Sequence, residues 1–187
     1  MTALRWMAIP WIAFLAPFVW NHLRVRRKRK AEGTVERRVG FAPASNLGLL
    51  LQAIGIGFAF ATGAADRDWL LPWAYALAAI SVWITLAALI HLGREWRIQA
   101  VVTDDHRLVT TGPYARLRHP VYAVLLLMLA ATLLVSGYPS TTAIAIGLYV
   151  VGTEIRVRAE ESLLTRQFGE AYSEYSRRTS AYLPFVR

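Results

Sequence analysis

Long apolar runs separated by short charged segments organise this 187-residue chain. A bilayer core takes roughly 20 apolar residues per helix, and five segments approach that length: 4–21, 45–65, 69–92, 120–138 and the shorter 139–152. Pro10 and Pro17 fall inside the first, and Gln52 is the large polar residue of the second. The sequence Ser136-Gly137-Tyr138-Pro139-Ser140 is a tight-turn signal, so the last two spans are expected to form a helical hairpin. After Gly152 there is no Gly or Pro until Gly169, so the last helix should run on into a polar extension. The pattern predicts an all-α integral membrane protein with five transmembrane helices, a C-terminal hairpin and a cytoplasmic helical extension. It divides into an N-terminal three-helix membrane region, 1–92, and a C-terminal region, 93–187.

Charge orients these spans. Eight basic residues lie in 21–44, five in 93–119 and six from 153 onward, which is 19 of the 21 in the chain. With five spans, all three groups fall on one side, and the positive-inside rule makes that side cytoplasmic. The protein is then multi-pass, with its N-terminus outside and its C-terminus inside. No cleavable signal is expected, because the first apolar run lacks a basic leader and a small-residue cleavage site.

Composition agrees: 56% of residues are hydrophobic, with seven Trp, no Cys and a net charge of +9, against about 45–50% apolar in soluble domains. A small basic chain invites a nucleic-acid reading. Here the run RVRRKRK (24–30) directly follows an apolar span and reads as a stop-transfer anchor on anionic headgroups instead. No nucleic-acid partner is expected; the lipid bilayer is. Without Cys there are no thiolate sites, and His22, His91, His106 and His119 have no ligand-like spacing, so no metal is expected.

Two polar segments lack a purely topological explanation, 94–122 and 153–178. In the second, Arg156, Glu160, Leu163, Leu164 and Gln167 recur at spacings of three and four and share one helix face. Arg156 and Glu160 fall one turn apart near the membrane boundary, where an ionisable pair is a candidate functional site. Arg158 and Glu161 fall on other faces and read as solvated or locally paired. Phe168-Gly169 should end or kink the helix, with Tyr172 and Tyr175 beyond it as packing or interfacial aromatics. In the first segment, Gly112-Pro113 is a turn signal and Pro120 suits the first turn of a helix. His119, before a proline, is pushed out of the helical region, and its backbone groups are expected to be free to meet a ligand. The hairpin should bring the loop GPYARLRHP beside Arg156 and Glu160.

HRLVTTGPYARLRHPVY, followed after an apolar hairpin by EIRVRAEESLLTRQFGEAYSEYSRRTSAYLPF, resembles the isoprenylcysteine carboxyl methyltransferase family. The resemblance covers about the C-terminal half, from Gln99 to Pro184. It implies an integral membrane enzyme with no Rossmann domain that uses S-adenosylmethionine. Gly55-Ile56-Gly57 lies within an apolar span and reads as helix packing. Carried over position by position, the resemblance implies a catalytic region at 93–187. It makes Gln99, His106, Arg107, Leu108, Val109, Tyr114, His119, Pro120, Val121, Tyr122 and Glu160 cofactor-binding, and it gives Arg156 the substrate carboxylate. Arg156 and Glu160 are the candidate catalytic pair. The partner implied is a lipophilic small molecule or a prenylated substrate. An amine or phenol acceptor would need a base, for which Glu160 or Glu161 is the candidate.

The alternative is an NADPH-dependent membrane reductase of the sterol reductase type, which has a similar C-terminal layout. Its phosphates favour more basic residues than one Arg pair supplies, and Glu160-Glu161 would sit against them.

Overall fold

Helices form most of the computed structural model, which describes residues 3–32, 38–62, 67–95, 101–103 and 107–184. In chain order they are α1 (Ala3–Trp6), α2 (Ala8–Glu32), α3 (Ala44–Thr62), α4 (Leu71–Leu92), α5 (Pro120–Ser136), α6 (Pro139–Phe168) and α7 (Glu170–Arg178). The fold departs from all-α at one place. Strands β1 (Arg38–Phe41) and β2 (Val101–Thr103) pair antiparallel, with an irregularity between Arg38 and Gly40. Val101, Val102 and Thr103 are β-branched, and such residues suit a pleated ribbon better than a helix.

Among the described residues, two helical stretches are long and apolar enough to cross a membrane, Ala44–Ala61 and Asp68–Leu92, with only 28% and 33% of those windows buried. Their outward faces are apolar, with Trp69, Trp73, Trp83 and Ile90 all strongly exposed, which suits lipid better than water. The five-span expectation is met only to this extent. The first span does not stop at residue 21: α2 carries the basic run inside one continuous helix, because Lys and Arg are good helix formers. Pro10 sits in its first turn and Pro17 lies within it. α5 is apolar but only 17 residues long.

That shorter α5 is the centre of the bundle. On one side Val124, Met128, Ala131 and Val135 pack with Met7, Trp11 and Phe14 and with Ala74 and Ala78 of α4. On the other, Leu129 and Leu133 pack with Ala59 of α3 and with Ala145 and Tyr149 of α6. Trp11 donates its indole N–H to the Thr132 hydroxyl at 2.9 Å, so its one polar atom is satisfied in an apolar setting.

The α5–α6 connection is tight, as expected from its turn signal. The Gly137 N–H returns to the Leu133 carbonyl at 2.7 Å, and the Tyr138 N–H donates to the Thr141 hydroxyl at 3.0 Å. The main partner of α6 is nevertheless α3 rather than α5. Gly48, Gln52, Gly55 and Ala59 recur on one buried face of α3, and such small residues let helix backbones approach closely. Gly55 is a packing position, since a β-carbon there would meet the Ala145 carbonyl oxygen at 2.8 Å, whereas Gly57 faces open space. Gln52 donates to the Thr153 hydroxyl at 2.8 Å between the two helices.

The ends of the elements that precede and follow the basic segments gather at one end of the bundle. Asn21 donates to the Gly93 carbonyl at 3.2 Å, joining α2 to the end of α4. Gly112, at φ +63°, lies so close to His91 that a β-carbon there would sit 2.5 Å from the imidazole. The Gly112-Pro113 turn is thereby seated on α4.

Replacing Gln52 with Leu keeps the volume and removes the α3–α6 donor, and should destabilise the bundle by about 1 kcal/mol. Unfolding of the detergent-solubilised variant against wild type measures this.

Candidate active site

The chemistry-bearing residues meet where the start of α5 crosses the second half of α6. Pro120 opens α5, and His119 before it is kept out of the helical region, at φ −128° and ψ 62°, though short of the fully extended backbone expected. The α5 start is pinned from below, because the Tyr149 hydroxyl of α6 donates to the Tyr122 carbonyl at 2.7 Å. Tyr122 then projects between two ionic groups. Its hydroxyl accepts from Arg156 Nε at 2.8 Å and donates to Glu160 Oε1. Arg156 Nη2 stands 3.4 Å from the same Glu160 oxygen, and its guanidinium lies 5.3 Å from the centre of the Tyr122 ring. The His119 ring stacks on Tyr122 with centroids 5.6 Å apart. His119 Nδ1 lies 3.4 Å from Glu160 Oε2, and Nε2 lies 3.4 Å from Glu161 Oε1.

Arg118 closes the other side. Its Nε donates to Glu161 Oε1 at 2.8 Å, and its Nη1 donates to the Ser176 carbonyl at 3.0 Å and to that of Thr179. The chain after α7 runs back along this loop. Leu117 bridges Ser180 in parallel, the Arg118 N–H donates to the Ser180 carbonyl at 2.9 Å, and the His119 N–H donates to Ala181 at 2.8 Å. Tyr182 closes this strap by donating its hydroxyl to Glu154 at 3.0 Å.

The structure thus brings together Arg156, Glu160, His119, Pro120 and Tyr122, with Val121 half-buried in the same first turn of α5. Tyr114 is buried beside them, and its carbonyl accepts from the Tyr175 hydroxyl at 2.7 Å. Arg107 is exposed and Leu108 and Val109 are half-buried on the approach to the turn; among the described residues they make no hydrogen bond or ion pair with this array. Gln99 and His106 lie outside the described residues. Arg158 pairs locally with Glu154 at 3.4 Å.

Two expectations are corrected. The backbone N–H groups of Arg118 and His119 are not free for a ligand, because the strap accepts both. Glu161 is not a solvated bystander, because Arg118 and His119 reach it round the other side of α6. The burial of Tyr172 agrees with its reading as a packing aromatic. The signal for Glu161 was present as two dipeptides, Arg118-His119 and Glu160-Glu161, whose charges match one against one.

Electrostatics keeps both carboxylates ionised. Burial raises the Glu160 carboxyl, but His119, Arg156 and Tyr122 outweigh it and hold its pKa below the usual range. Burial also raises Glu161, and His119 with Arg118 brings it down to about 2. Burial alone would neutralise His119, yet Glu160 and Glu161 leave its pKa above the ordinary value. The Tyr114 phenol is pushed up by burial, then by Tyr175 and Glu160, and stays protonated. Among the described residues four buried side-chain polar atoms lack a well-formed hydrogen bond, Ser45 Oγ, Thr85 Oγ1, His119 Nε2 and the Tyr172 hydroxyl, although His119 Nε2 stands in its 3.4 Å ion pair with Glu161. Orphaned polar atoms of this kind are costly. No group of three or more potential metal ligands occurs among the described residues. An apolar groove of about 420 Å³ between α2 and α4, lined by Ile9, Pro10, Val82 and Trp83 among others, is separate from this array.

Two apolar helices of membrane-crossing length, packed with α5 and α6 that carry an ionic array at their polar end, describe a helical membrane-type protein. Residues 74–166 match the isoprenylcysteine carboxyl methyltransferase (ICMT) family, a span that holds Arg118, His119, Tyr122, Arg156, Glu160 and Glu161. The chain resembles that family over just under half of its length. It is 32% identical over 102 residues to a probable protein-S-isoprenylcysteine O-methyltransferase of Oryza sativa subsp. indica, covering 53% of each chain. It is 29% identical over 130 residues to protein-S-isoprenylcysteine O-methyltransferase B of Arabidopsis thaliana, covering 68% of this chain and 66% of that one. It is also 29% identical over 120 residues to the cobalt-zinc-cadmium resistance protein CzcN of Cupriavidus metallidurans, covering 64% and 53%. The chain spans between about half and two thirds of the length of these curated relatives.

The protonated His119 sets a pH dependence. Its folded-state pKa is raised, so its contribution is complete below about pH 6.5, the ordinary imidazole value, and is lost as pH rises through the folded-state value. The wild-type melting temperature in detergent should fall over that rise, and His119→Gln should be flat across it. Parallel curves would remove the imidazolium from the network.

Proposed function

We propose that this protein is an integral membrane methyltransferase that moves a methyl group from S-adenosylmethionine to the carboxylate of a lipophilic acceptor, most simply of the isoprenylcysteine type. One observation carries the reading: the Tyr122 hydroxyl ties a buried arginine to a half-buried glutamate at the polar end of an apolar bundle. That site has one face toward water-soluble ligands and another toward lipid. The basic end is the cytoplasmic one under the same reading, and the N-terminus lies outside.

The residues fit the amino-acid end of S-adenosylmethionine. His119, when protonated and held between Glu160 and Glu161, suits a carboxylate, and Glu160, partly accessible, suits an ammonium. Tyr114, Pro120, Val121 and Tyr122 form the wall around them, and the family resemblance assigns Gln99, His106, Arg107, Leu108 and Val109 to the same cofactor. When bound, S-adenosylmethionine supplies an electrophilic methyl group on a sulfonium. Arg156 neutralises and aligns the acceptor carboxylate, which is already ionised and needs no base. Tyr122, bonded to both ionic residues, keeps the two half-sites in register. The surrounding apolar helices exclude water, so the protein's contribution is alignment and a dry environment. NADPH suits the site less well, because Glu160 and Glu161 are both held ionised where its phosphates would lie.

Glu160→Gln should weaken S-adenosylmethionine binding by about tenfold or more, the cost of a charge-assisted hydrogen bond, as read by calorimetry on the detergent-solubilised protein. Unchanged affinity removes Glu160 from that role, and binding of NADPH alone replaces the methyltransferase reading with the reductase. Arg156→Ala should leave that affinity within a few-fold and lower methyl transfer to a carboxylate acceptor by about 100-fold. Surviving turnover would mean that the nucleophile is held elsewhere.

A further inference from the structure

α3 lies wholly outside the family match at 74–166, yet it reaches the candidate acceptor anchor. Gly48 and Gly152 face each other across the α3–α6 contact. A β-carbon on Gly48 would lie 2.5 Å from the Gly152 carbonyl oxygen, and one on Gly152 would lie 2.6 Å from the Gly48 oxygen. The same carbon on Gly48 would also lie 2.6 Å from Arg156 Cγ and 3.2 Å from Arg156 N. The bare backbone of Gly48 is therefore the surface against which the stem of Arg156 rests. Beyond that stem the guanidinium is caught from the α5 side by the Tyr122 hydroxyl at 2.8 Å. The arginine is clamped between a helix the family match does not include and one that it does.

We propose that Gly48 is a positioning residue for Arg156: the missing side chain at 48 sets where the guanidinium stands, and hence the angle at which an acceptor carboxylate is held. The assignment rests on Arg156 anchoring that carboxylate. Gly55 supplies the matched comparison. It lies two turns along the same face of α3, and a β-carbon there would meet the Ala145 carbonyl oxygen at 2.8 Å and Tyr149 N at 3.2 Å. Gly55→Ala thus carries a comparable packing penalty at the same interface without touching Arg156.

The test uses the full chain in detergent and two readouts. In proton–nitrogen correlation spectra, the Arg156 Nε–Hε signal, assigned by its loss in Arg156→Lys, should shift or vanish in Gly48→Ala and stay in place in Gly55→Ala. In methyl transfer to an S-farnesylated N-acetylcysteine probe, Gly48→Ala should raise the acceptor KM and lower kcat/KM by about 100-fold, the scale of an ångström-sized misplacement. Its S-adenosylmethionine affinity should be unchanged, and Gly55→Ala should keep near-normal kinetics. An Arg156 signal that responds equally to both substitutions overturns the assignment. If the wild type transfers nothing to the probe, the methyltransferase reading fails instead, and the spectra still decide the Gly48–Arg156 contact. A readout free of substitutions guards against misfolding of Gly48→Ala. Adding the probe to wild type should move the Gly48 amide signal and leave that of Gly55, and equal or absent movement counts against the proposal.

Discussion

Two adjacent cations at the start of α5 are buried against two adjacent carboxylates on α6, and the polar end of the molecule is arranged to satisfy all four. Arg118 and His119 are each less than a tenth exposed. Burying charge is costly unless it is paired and hydrogen-bonded, and losing one partner leaves the other uncompensated. Glu161 takes Arg118, Glu160 takes Arg156 and Tyr122, and His119 sits between the two acids. Arg118 still has donors to satisfy, and the carbonyls of Ser176 and Thr179 accept them. The return of the chain over the loop thus follows from that pairing.

The same constraint explains why the shortest apolar helix is the most deeply placed. α5 begins at the ionic array and ends at the Gly137 turn, packed by α2 and α4 on one side and by α3 and α6 on the other. A helix wrapped in this way needs no long lipid-facing surface of its own. Thr132 and Ser136 return their hydroxyls to carbonyls one turn back, so even its polar residues ask nothing of lipid. The lipid-facing work falls to α3 and α4, whose windows are mostly unburied.

Much of the site was legible because its signals are local. A proline after His119, a turn at Gly112-Pro113, and Arg156 and Glu160 one turn apart each predict geometry within a few residues. Glu161 was hidden because neighbouring residues on a helix point about 100° apart, so periodicity assigned it to solvent. Only the wrap of the 117–119 loop around α6 reverses that. The strap was hidden because its contacts are backbone groups, which every residue carries. The partnership of α6 with α3 was written in Gly48, Gln52, Gly55 and Ala59, but chain adjacency pointed to α5. The ribbon at 38–41 and 101–103 joins two segments that read as polar connectors, a pairing too distant in sequence for any local pattern.

Residues 179–182 leave the ribosome only after every helix they brace. During synthesis the membrane-facing part of the bundle is in place while the RHP loop still lacks the carbonyls that accept its two backbone N–H groups. Until then Arg118 lacks the Thr179 carbonyl that it also donates to in the finished fold. The segment that completes the ionic array is therefore the last of its parts to be made.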